Sequence, residues 1–328
     1  MARLFIDGFE TGKCSPFWET PEFGSIAAAK PGMSGAYSNY FDNSAGVVRL
    51  PATETEIYTA CKVRLEATYN TNVVVFRDST DANMFSLYFN YSAAPKWDIE
   101  ILRGSWNGTV LDTADAAITI NTTYLLEIYY KPLNTGGQIT VKLDGVQILS
   151  YSGDTTAGLE AVDNVKWGYD GALAYVNFDD IVIDNADWIG NTRIQKLQIS
   201  GAGTTSEWDA SAGNPEDCID EIPYSDSDWV ETNVVNESLT CACADMTGNV
   251  DSVKCVEVYG RMAYEGTPTP TKQKLAIRVN GTEYYGDDES PALTYGFFGK
   301  RWEINPDDAA AWEEADINAI EIGVRSVT

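Results

Sequence analysis

The sequence predicts an all-β protein that folds as two domains. The chain has 328 residues, more than the roughly 250 at which a single core stops growing. Hydrophobic residues make up 44% and aromatic residues 12%, which is enough for packed cores. Short runs that alternate apolar and polar residues recur along the chain, while long windows of Leu, Ala, Glu and Lys are missing. These observations favour strands throughout.

About ten alternating runs, each bounded by polar turns, fill the first half. In order they are ARLFIDGF, AGVVRLP, EIYTACKVRLEA, NVVVFRDS, MFSLYFNY, KWDIEILR, TYLLEIYYKP, QITVKLDGVQILSY, AVDNVKWGYD and LAYVNFDDIVID. The LDGV stretch, 143–146, carries the Asp-Gly signature of a tight hairpin. So many short strands at this spacing predict a sandwich or jelly roll over residues 1–186.

The pattern breaks at NADWIGNTRI, so residues 187–195 are predicted to be a joint. Further alternating runs predict a second, smaller β-sandwich over residues 196–328, with GAGTTS (201–206) read as a surface loop. One short helix is expected before the last strand. There Asn305 suits an N-cap, Pro306 the first helical position, and Asp307 the positive end of the dipole.

Net charge and composition exclude several classes of function. The net charge of −27 disfavours a phosphate backbone or an anionic membrane as partner, because binding to them relies on Lys and Arg clusters. The sequence has neither a run of 18 apolar residues nor the apolar core of a signal peptide, so we expect synthesis in the cytoplasm and no membrane insertion. Histidine is absent, which removes Ser-His-Asp catalysis and His-zinc sites.

Carboxylates remain as candidates for catalysis. In WDIEIL, Asp98 and Glu100 stand two residues apart on one strand face, about 6–7 Å from each other by the strand rise. A retaining glycosidase would place two carboxyl groups about 5–5.5 Å apart. The alternative is a solvated strand face. Asp179 and Asp180 are neighbours in a strand and are expected to point to opposite faces, so they should not form an acid/base pair.

Aromatic residues on the middle strands of the first domain are candidates for stacking on sugar rings. We name Trp97, Trp106 and Tyr88 as the candidate glycan-binding residues. The other interpretation is that they belong to the core, where large aromatic side chains usually lie.

The six cysteines include no CxxC pair, which argues against a structural zinc site. Free thiols are the default expectation. Cys241 and Cys243 share a strand face, and Cys218 and Cys255 are near them in sequence, so these four are the candidates for disulfides outside the cell.

FIDGFETG at the start and YVNFDDIVID at the end of the first domain resemble the terminal strands of concanavalin/laminin-G-like jelly rolls and of calcium-stabilised carbohydrate-binding modules. The resemblance implies that the two segments come together. It also implies a structural calcium held by one acid from each segment, here Glu10 and Asp180. No other cofactor is expected.

A wider resemblance covers most of the chain. The segments FDDIVID…DWIGNTRIQKL, SEWDAS…NPEDCIDEIPYSDSDWVET and KRWEINPDDAAAWEEADINAIEIGV are similar in order to structural proteins of tailed bacteriophages, although Asn191 stands where that pattern has Asp. The resemblance implies a non-enzymatic virion protein on the capsid as a decoration protein, on the neck or collar, or on the tail. Such a protein would be made in the host cytoplasm in many copies, would contact other virion proteins, and would form a homo-oligomer, with a trimer favoured.

The expected function is therefore a structural component of a virion that attaches weakly to a host-surface glycan. A carbohydrate-binding module, a carboxylate-dependent glycoside hydrolase and a calcium-dependent adhesin stay open as alternatives.

Overall fold

The computed structural model describes most of the chain. The described residues are 3–11, 14–15, 17–19, 25–28, 30–31, 33–35, 37–41, 45–68, 70–93, 96–105, 107–116, 118–156, 158–159, 161–168, 175–221, 225–264 and 270–328. The chain divides into two compact units, residues 1–195 and 196–328. The second unit begins where the predicted C-terminal domain begins, and the predicted joint belongs to the first unit.

The first unit contains fourteen strands within its described residues. They are β1 Arg3–Asp7, β2 Ser25–Ala28, β3 Tyr37–Phe41, β4 Ala45–Glu54, β5 Ile57–Leu65, β6 Thr71–Arg77, β7 Asn83–Ala93, β8 Lys96–Arg103, β9 Thr109–Ala116, β10 Thr123–Lys131, β11 Gly137–Leu143, β12 Val146–Gly153, β13 Val162–Gly168 and β14 Val176–Asp184.

Two antiparallel sheets build this unit. The eight-stranded sheet has the order β12-β11-β10-β5-β14-β3-β2, with β1 also paired to β14, and the six-stranded sheet has the order β4-β13-β6-β7-β8-β9. Alternation decides which side of each strand faces the core. In β5, for example, Ile57, Cys61 and Val63 are buried against the other sheet, while Lys62 faces outwards.

Large aromatic side chains fill the space between the two sheets. The ring of Tyr130, from the eight-stranded sheet, lies 5.2 Å from Phe76 and 5.1 Å from Phe85 of the six-stranded sheet. All three side chains are fully buried. The two sheets therefore share one continuous core, which confirms the predicted jelly-roll-type sandwich.

The predicted joint is packed onto the outer face of the eight-stranded sheet. The ring of Trp188 lies 5.7 Å from Tyr58 and 6.3 Å from Tyr129, and Nζ of Lys142 sits 3.3 Å from the centre of the Trp188 ring. The backbone N–H of Gly190 donates to Oε1 of Glu127 at 2.9 Å. Residues 187–195 are therefore part of the first unit rather than a free linker.

The second unit is also built from strands. Its elements are β15 Ile199–Ser206, β16 Asp209–Ala210, a 3-10 helix Pro215–Cys218, β17 Val230–Glu231, β18 Ser238–Cys243, β19 Val256–Met262, β20 Lys272–Val279, β21 Thr282–Tyr285, β22 Gly296–Trp302, α1 Glu314–Asn318 and β23 Glu321–Val327. A five-stranded sheet, β15-β18-β23-β20-β21, is accompanied by the pairs β16-β17 and β19-β22. The all-β prediction with one short α-helix is thus confirmed.

The helix is shorter than predicted and begins later. It starts after Glu313, whose side chain forms a capping box with Asp316. The side chain of Asn305 instead accepts a hydrogen bond from the Asp307 N–H, and Ala309 has a left-handed φ of 57°. An asparagine turn therefore competes with the helix at the predicted start.

The GAGTTS stretch, predicted to be a surface loop, forms most of β15. Its small and hydroxyl side chains give no apolar signal, and the strand is defined by its pairing with β18. No helix in the described part of the chain is long and apolar enough to cross a membrane.

Candidate functional site

The two neighbouring aspartates of the YVNFDDIVID segment lie at a β-bulge. Strand β14 shifts its register against β5 between Asp179 and Val182, and Asp180 has a left-handed φ of 49°. The bulge interrupts the period of two, so the prediction that the two side chains point to opposite faces is wrong. Asp179 lies opposite Lys62 in the register, and Asp180 pairs with the same lysine. Both carboxylates therefore lie on the side of the eight-stranded sheet that faces away from the six-stranded sheet.

Each carboxylate oxygen of this aspartate pair has a partner. The Ser34 N–H donates to Oδ2 of Asp179 at 2.7 Å, and the Asp180 N–H donates to Oδ1 of Asp179 at 2.8 Å. The Ile194 N–H donates to Oδ1 of Asp180 at 2.8 Å, and Nζ of Lys62 lies 2.9 Å from Oδ2 of Asp180. Lys62 also donates to Oγ of Ser34. The pair thus connects β5, β14, the loop at residue 34 and the segment that follows β14.

Burial changes the ionisation of Asp179. Asp179 is fully buried and Asp180 is 2% exposed. Loss of hydration, and then the charge of Asp180, raises the pKa of Asp179 to about 8, although the Ser34 N–H and Lys62 act in the opposite direction. The Asp179 carboxyl therefore keeps its proton to a higher pH than an aspartate in water does, and the ammonium of Lys62 lies beside Asp180.

The two segments predicted to hold calcium do come together. A Cβ added to Gly8 would lie 3.4 Å from Oδ1 of Asp180, and one added to Gly35 would lie 1.7 Å from Oε1 of Glu10. The calcium ion between Glu10 and Asp180 stays a prediction. Calcium takes six to eight oxygen ligands, and Asp180 already carries the ammonium of Lys62. Among the described residues, no group of three or more His, Cys, Asp or Glu side chains is placed to hold a metal ion.

An acid that the sequence did not single out organises the FIDGFETG segment. The carboxylate of Asp7 accepts hydrogen bonds from the Phe9 N–H at 2.7 Å, the Ser15 N–H at 2.7 Å and Nε1 of Trp18 at 2.6 Å. Asp7 is 6% exposed, so these donors replace its lost hydration. This acid therefore closes the turn after β1 and has a structural role.

A second group of polar side chains lies on the outer face of the six-stranded sheet. Tyr88 of β7 is directly opposite Glu100 of β8, and Asn90 is directly opposite Asp98. Residues opposite each other in an antiparallel pair point to the same side, and Phe89 and Ile99 between them are buried in the core. We call Tyr88, Asn90, Asp98 and Glu100 the β7–β8 face. All four side chains are half-buried, so each reaches solvent.

The β7–β8 face offers hydrogen-bond acceptors beside an aromatic ring. Oε1 of Glu100 accepts a hydrogen bond from Nδ2 of Asn90 at 2.9 Å. Asp98 and Glu100 share a face, as predicted, and Glu100 accepts its hydrogen bond from this amide on the neighbouring strand. Fixed carboxylates and an amide next to a tyrosine ring suit the binding of sugar hydroxyl groups.

The three aromatic residues predicted to bind a glycan differ in where they lie in the structure. The Trp97 ring is fully buried in the core, 5.2 Å from the ring of Tyr91, so it is not available to stack on a sugar. This part of the prediction is wrong, because Trp97 lies on the inner side of β8. Trp106 lies outside the described residues. Tyr88 is the one of the three that the structure places on an outward face.

The candidate disulfides are not formed. All six cysteines are thiols, and Cys218, Cys241 and Cys243 are buried. Burial raises the pKa of Cys241 to about 12 and that of Cys243 to about 11. Sγ of Cys218 donates a hydrogen bond to the carbonyl oxygen of Ala212 at 2.8 Å. These three thiols behave as small apolar core side chains, while Cys255 is half-buried.

Several residues of these two clusters cannot be identified from the sequence alone. Lys62 and Ser34 join the aspartates only through the fold, because 28 residues separate the two partners of their hydrogen bond. Asn72 comes to lie opposite Tyr88 through the register of β6 with β7. Strand register would have been needed to find any of them.

The chain matches no known protein family and no curated protein sequence. Solved structures do match. A sialidase shares 11% identity at a TM-score of 0.40 over 56% of this chain, and the match spans only 19% of the sialidase. Endo-beta-1,4-glucuronan lyase from the fungus Trichoderma reesei shares 12% identity at a TM-score of 0.39, over 56% of this chain and 96% of the lyase.

The CBM2 module of the Lactobacillus casei BL23 phage J-1 evolved Dit is also similar. It shares 12% identity at a TM-score of 0.38, over 57% of this chain and 97% of the module. The neighbours are thus carbohydrate-binding or glycan-active proteins, one of them from a phage Dit. Likenesses at this identity and TM-score do not assign a function to this chain.

Proposed function

We propose that this chain is a non-enzymatic structural component of a tailed-phage virion whose first unit attaches weakly to a glycan through the β7–β8 face. The observation that carries the glycan part is the alignment of Tyr88 with Glu100 and of Asn90 with Asp98 on one outward side. The proposal places the chain in many copies on the capsid, neck or tail, in contact with other virion proteins and in a homotrimer.

The physical support for glycan binding is the combination of ring and acceptors. A sugar ring presents C–H groups on its face, which pack on an aromatic ring, and hydroxyl groups at its edge, which donate hydrogen bonds. Tyr88 supplies the ring, while Asp98 and Glu100 supply charged acceptors. The four side chains lie half-buried on a strand face, so they would bury little of a ligand, and the affinity per site would be weak. Many copies on one particle would raise it by avidity.

The support for a virion location comes from the sequence. The FDDIVID…DWIGNTRIQKL segment and the tail after Lys300 resemble structural proteins of tailed phages. The net charge of −27 is compatible with many copies at high local concentration, because like charges repel.

Two measurements test the proposal. Mass spectrometry of purified particles should find the chain at many copies, and its absence from particles would overturn the virion part. A glycan array with the full chain should give weak signals that Tyr88→Ala abolishes. Tyr259→Ala is the matched control, because Tyr259 is a 37% exposed tyrosine of the second unit. Equal loss of signal in both variants would contradict the placement on β7 and β8.

The second candidate is a carboxylate-dependent glycoside hydrolase, which is favoured by the shared face of Asp98 and Glu100. A reducing-sugar assay distinguishes the two functions. Turnover that Asp98→Asn and Glu100→Gln each remove would support the hydrolase, whereas glycan binding without turnover supports the non-enzymatic protein.

A further inference from the structure

We infer that the glycan held by the β7–β8 face carries no acidic groups, so that its sugars are neutral or amino sugars rather than uronates, sialic acids or sulfated sugars. This inference rests on the proposed glycan binding and adds the class of ligand. It is drawn from the charges on the face and from one buried acceptor beside it.

Negative charge dominates the outward side of β7, β8 and β9. Asp98 of β8 lies directly opposite Asp115 of β9, which is exposed, and Glu100 lies opposite Thr113. The outward charged groups at these paired positions are therefore carboxylates. The described cation of β8, Arg103, is at the end of the strand, opposite the core residue Phe85, and is paired with Asp154. The side chain of Lys96 on β8 is outside the described part, and counting its ammonium still leaves an excess of negative charge.

The other described cations of this sheet lie away from Asp98 and Glu100. Arg77, at the end of β6, donates a hydrogen bond to Asn83 at the start of β7. Lys166 of β13 lies opposite Val75 of β6, and Val75 lies opposite Ser86 of β7. Two strands thus separate Lys166 from β8. It is also 8% exposed, so its ammonium is nearly withdrawn from solvent.

A buried acceptor beside Tyr88 favours a ligand group that donates a hydrogen bond. Asn72 of β6 is 3% exposed and lies directly opposite Tyr88, so its side chain is on the side of the sheet that carries the tyrosine. Its Oδ1 is buried and has no hydrogen-bond partner among the described residues. A buried acceptor is satisfied by a donor such as a hydroxyl or amine. A carboxylate or sulfate group offers only acceptors.

The short distance between Tyr88 and Glu100 makes binding selective against acidic sugars. Residues opposite each other in a strand pair have Cβ atoms about 5 Å apart, so a sugar on the ring of Tyr88 lies beside the carboxylate of Glu100. An acidic group on that sugar would meet a like charge at short range, whereas a hydroxyl or ammonium group would meet an acceptor.

The inference is tested by binding of the full chain to three kinds of polysaccharide at low salt. The probes are chitosan oligomers, a neutral β-glucan and alginate. We expect binding to chitosan and to the neutral glycan, and binding to alginate that is at least about tenfold weaker, because one lost charged contact is worth about that factor. In Asp98→Asn/Glu100→Gln, chitosan binding should weaken by a similar factor while alginate binding should rise. Glu19→Gln is the matched control, because it removes an exposed carboxylate of the same unit away from β7 to β9.

The outcomes distinguish a wrong class of glycan from a lack of glycan binding. Alginate bound as tightly as the neutral glycan, with Tyr88→Ala still abolishing the signal, would overturn the non-acidic class while leaving the glycan function in place. Alginate binding that is unchanged in the double variant would count against the inference in the same way. No binding to any of the three probes would overturn both the proposed glycan binding and this inference.

Discussion

Nζ of Lys62 lies 2.9 Å from Oδ2 of Asp180, on the outer face of the eight-stranded sheet. The first and last strands of this unit resemble those of calcium-stabilised carbohydrate-binding modules, which implies a metal ion near this carboxylate. The structure instead supplies a positive charge from β5. Lys62 therefore supplies the positive charge beside the two aspartates at the bulge.

Removing this charge should destabilise the first unit. In Lys62→Met, Asp180 would stay buried without its cation, and breaking a buried pair in this way costs about 3–5 kcal/mol. Chemical denaturation of the intact chain, followed by hydrogen exchange of β5 and β14, measures the loss. Lys30→Met is the control, since Lys30 is 35% exposed and its ion pair with Glu66 lies at the surface. A loss no larger than that of the control would contradict the role of Lys62.

The pKa of Asp179, raised to about 8, predicts a pH dependence. The folded state holds this proton more tightly than the unfolded chain, in which the pKa is near 3.8. The stabilising contribution is therefore complete below about pH 3.8 and is lost as the pH rises through about 8. We expect the free energy of unfolding to fall across that window and Asp179→Asn to flatten the fall. Urea denaturation at several pH values measures it, with the half-buried Asp98→Asn as control. The same pH dependence of the free energy of unfolding in the wild type and in Asp179→Asn would refute the raised pKa of Asp179.

Calcium should have little effect on the first unit. Because Lys62 already faces Asp180, we expect the melting temperature to be the same with a chelator and with millimolar calcium. Differential scanning calorimetry of the intact chain measures this. A rise in melting temperature with calcium, absent in Glu10→Gln, would restore the metal site that the resemblance implies.

Trp97 should matter for stability and not for sugar binding. Its ring is fully buried, so Trp97→Ala is expected to cost about 3–5 kcal/mol of unfolding free energy. Trp97→Phe, which keeps an aromatic ring, should cost less and should leave binding on a glycan array unchanged. Loss of glycan binding in a Trp97→Phe chain that keeps its stability would falsify the assignment of this residue to the core.

The thiols should react in two classes. Cys14 and Cys255 are half-buried, whereas Cys61, Cys218, Cys241 and Cys243 are buried. Burial raises the pKa of Cys61 and Cys241, which lowers the population of the reactive thiolate. A thiol reagent should therefore modify Cys14 and Cys255 first and reach the other four after denaturant is added. Peptide mapping measures the order, and early modification of Cys241 would contradict it.

The alternation of apolar and polar residues predicts most of the strands. The KWDIEILR run, for example, coincides with β8, and its alternating residues Trp97, Ile99 and Ile101 all face the core. The sequence does not predict strand β3, since two of its five residues, Ser38 and Asn39, are polar although they are fully buried. Strand β2 is only four residues long and sits at the sheet edge.

The sequence predicts less of the candidate sites than of the fold. The period of two placed Asp98 and Glu100 on one side, which the register of β7 with β8 confirms. The same rule failed at Asp180, because a left-handed residue in a bulge is a local exception that tertiary pairing selects. It also failed to show that Trp97 faces inwards, since alternation alone does not tell which side of a strand meets the other sheet.

The packing of Trp188 on Tyr58 and Tyr129 has a practical consequence for preparing the first unit on its own. A recombinant fragment that ends at residue 186, the boundary that the sequence suggests, would lose Trp188 and leave two tyrosine rings uncovered. It would also lose the Ile194 N–H that caps Asp180. A fragment that ends at residue 195 keeps both and is the one to express.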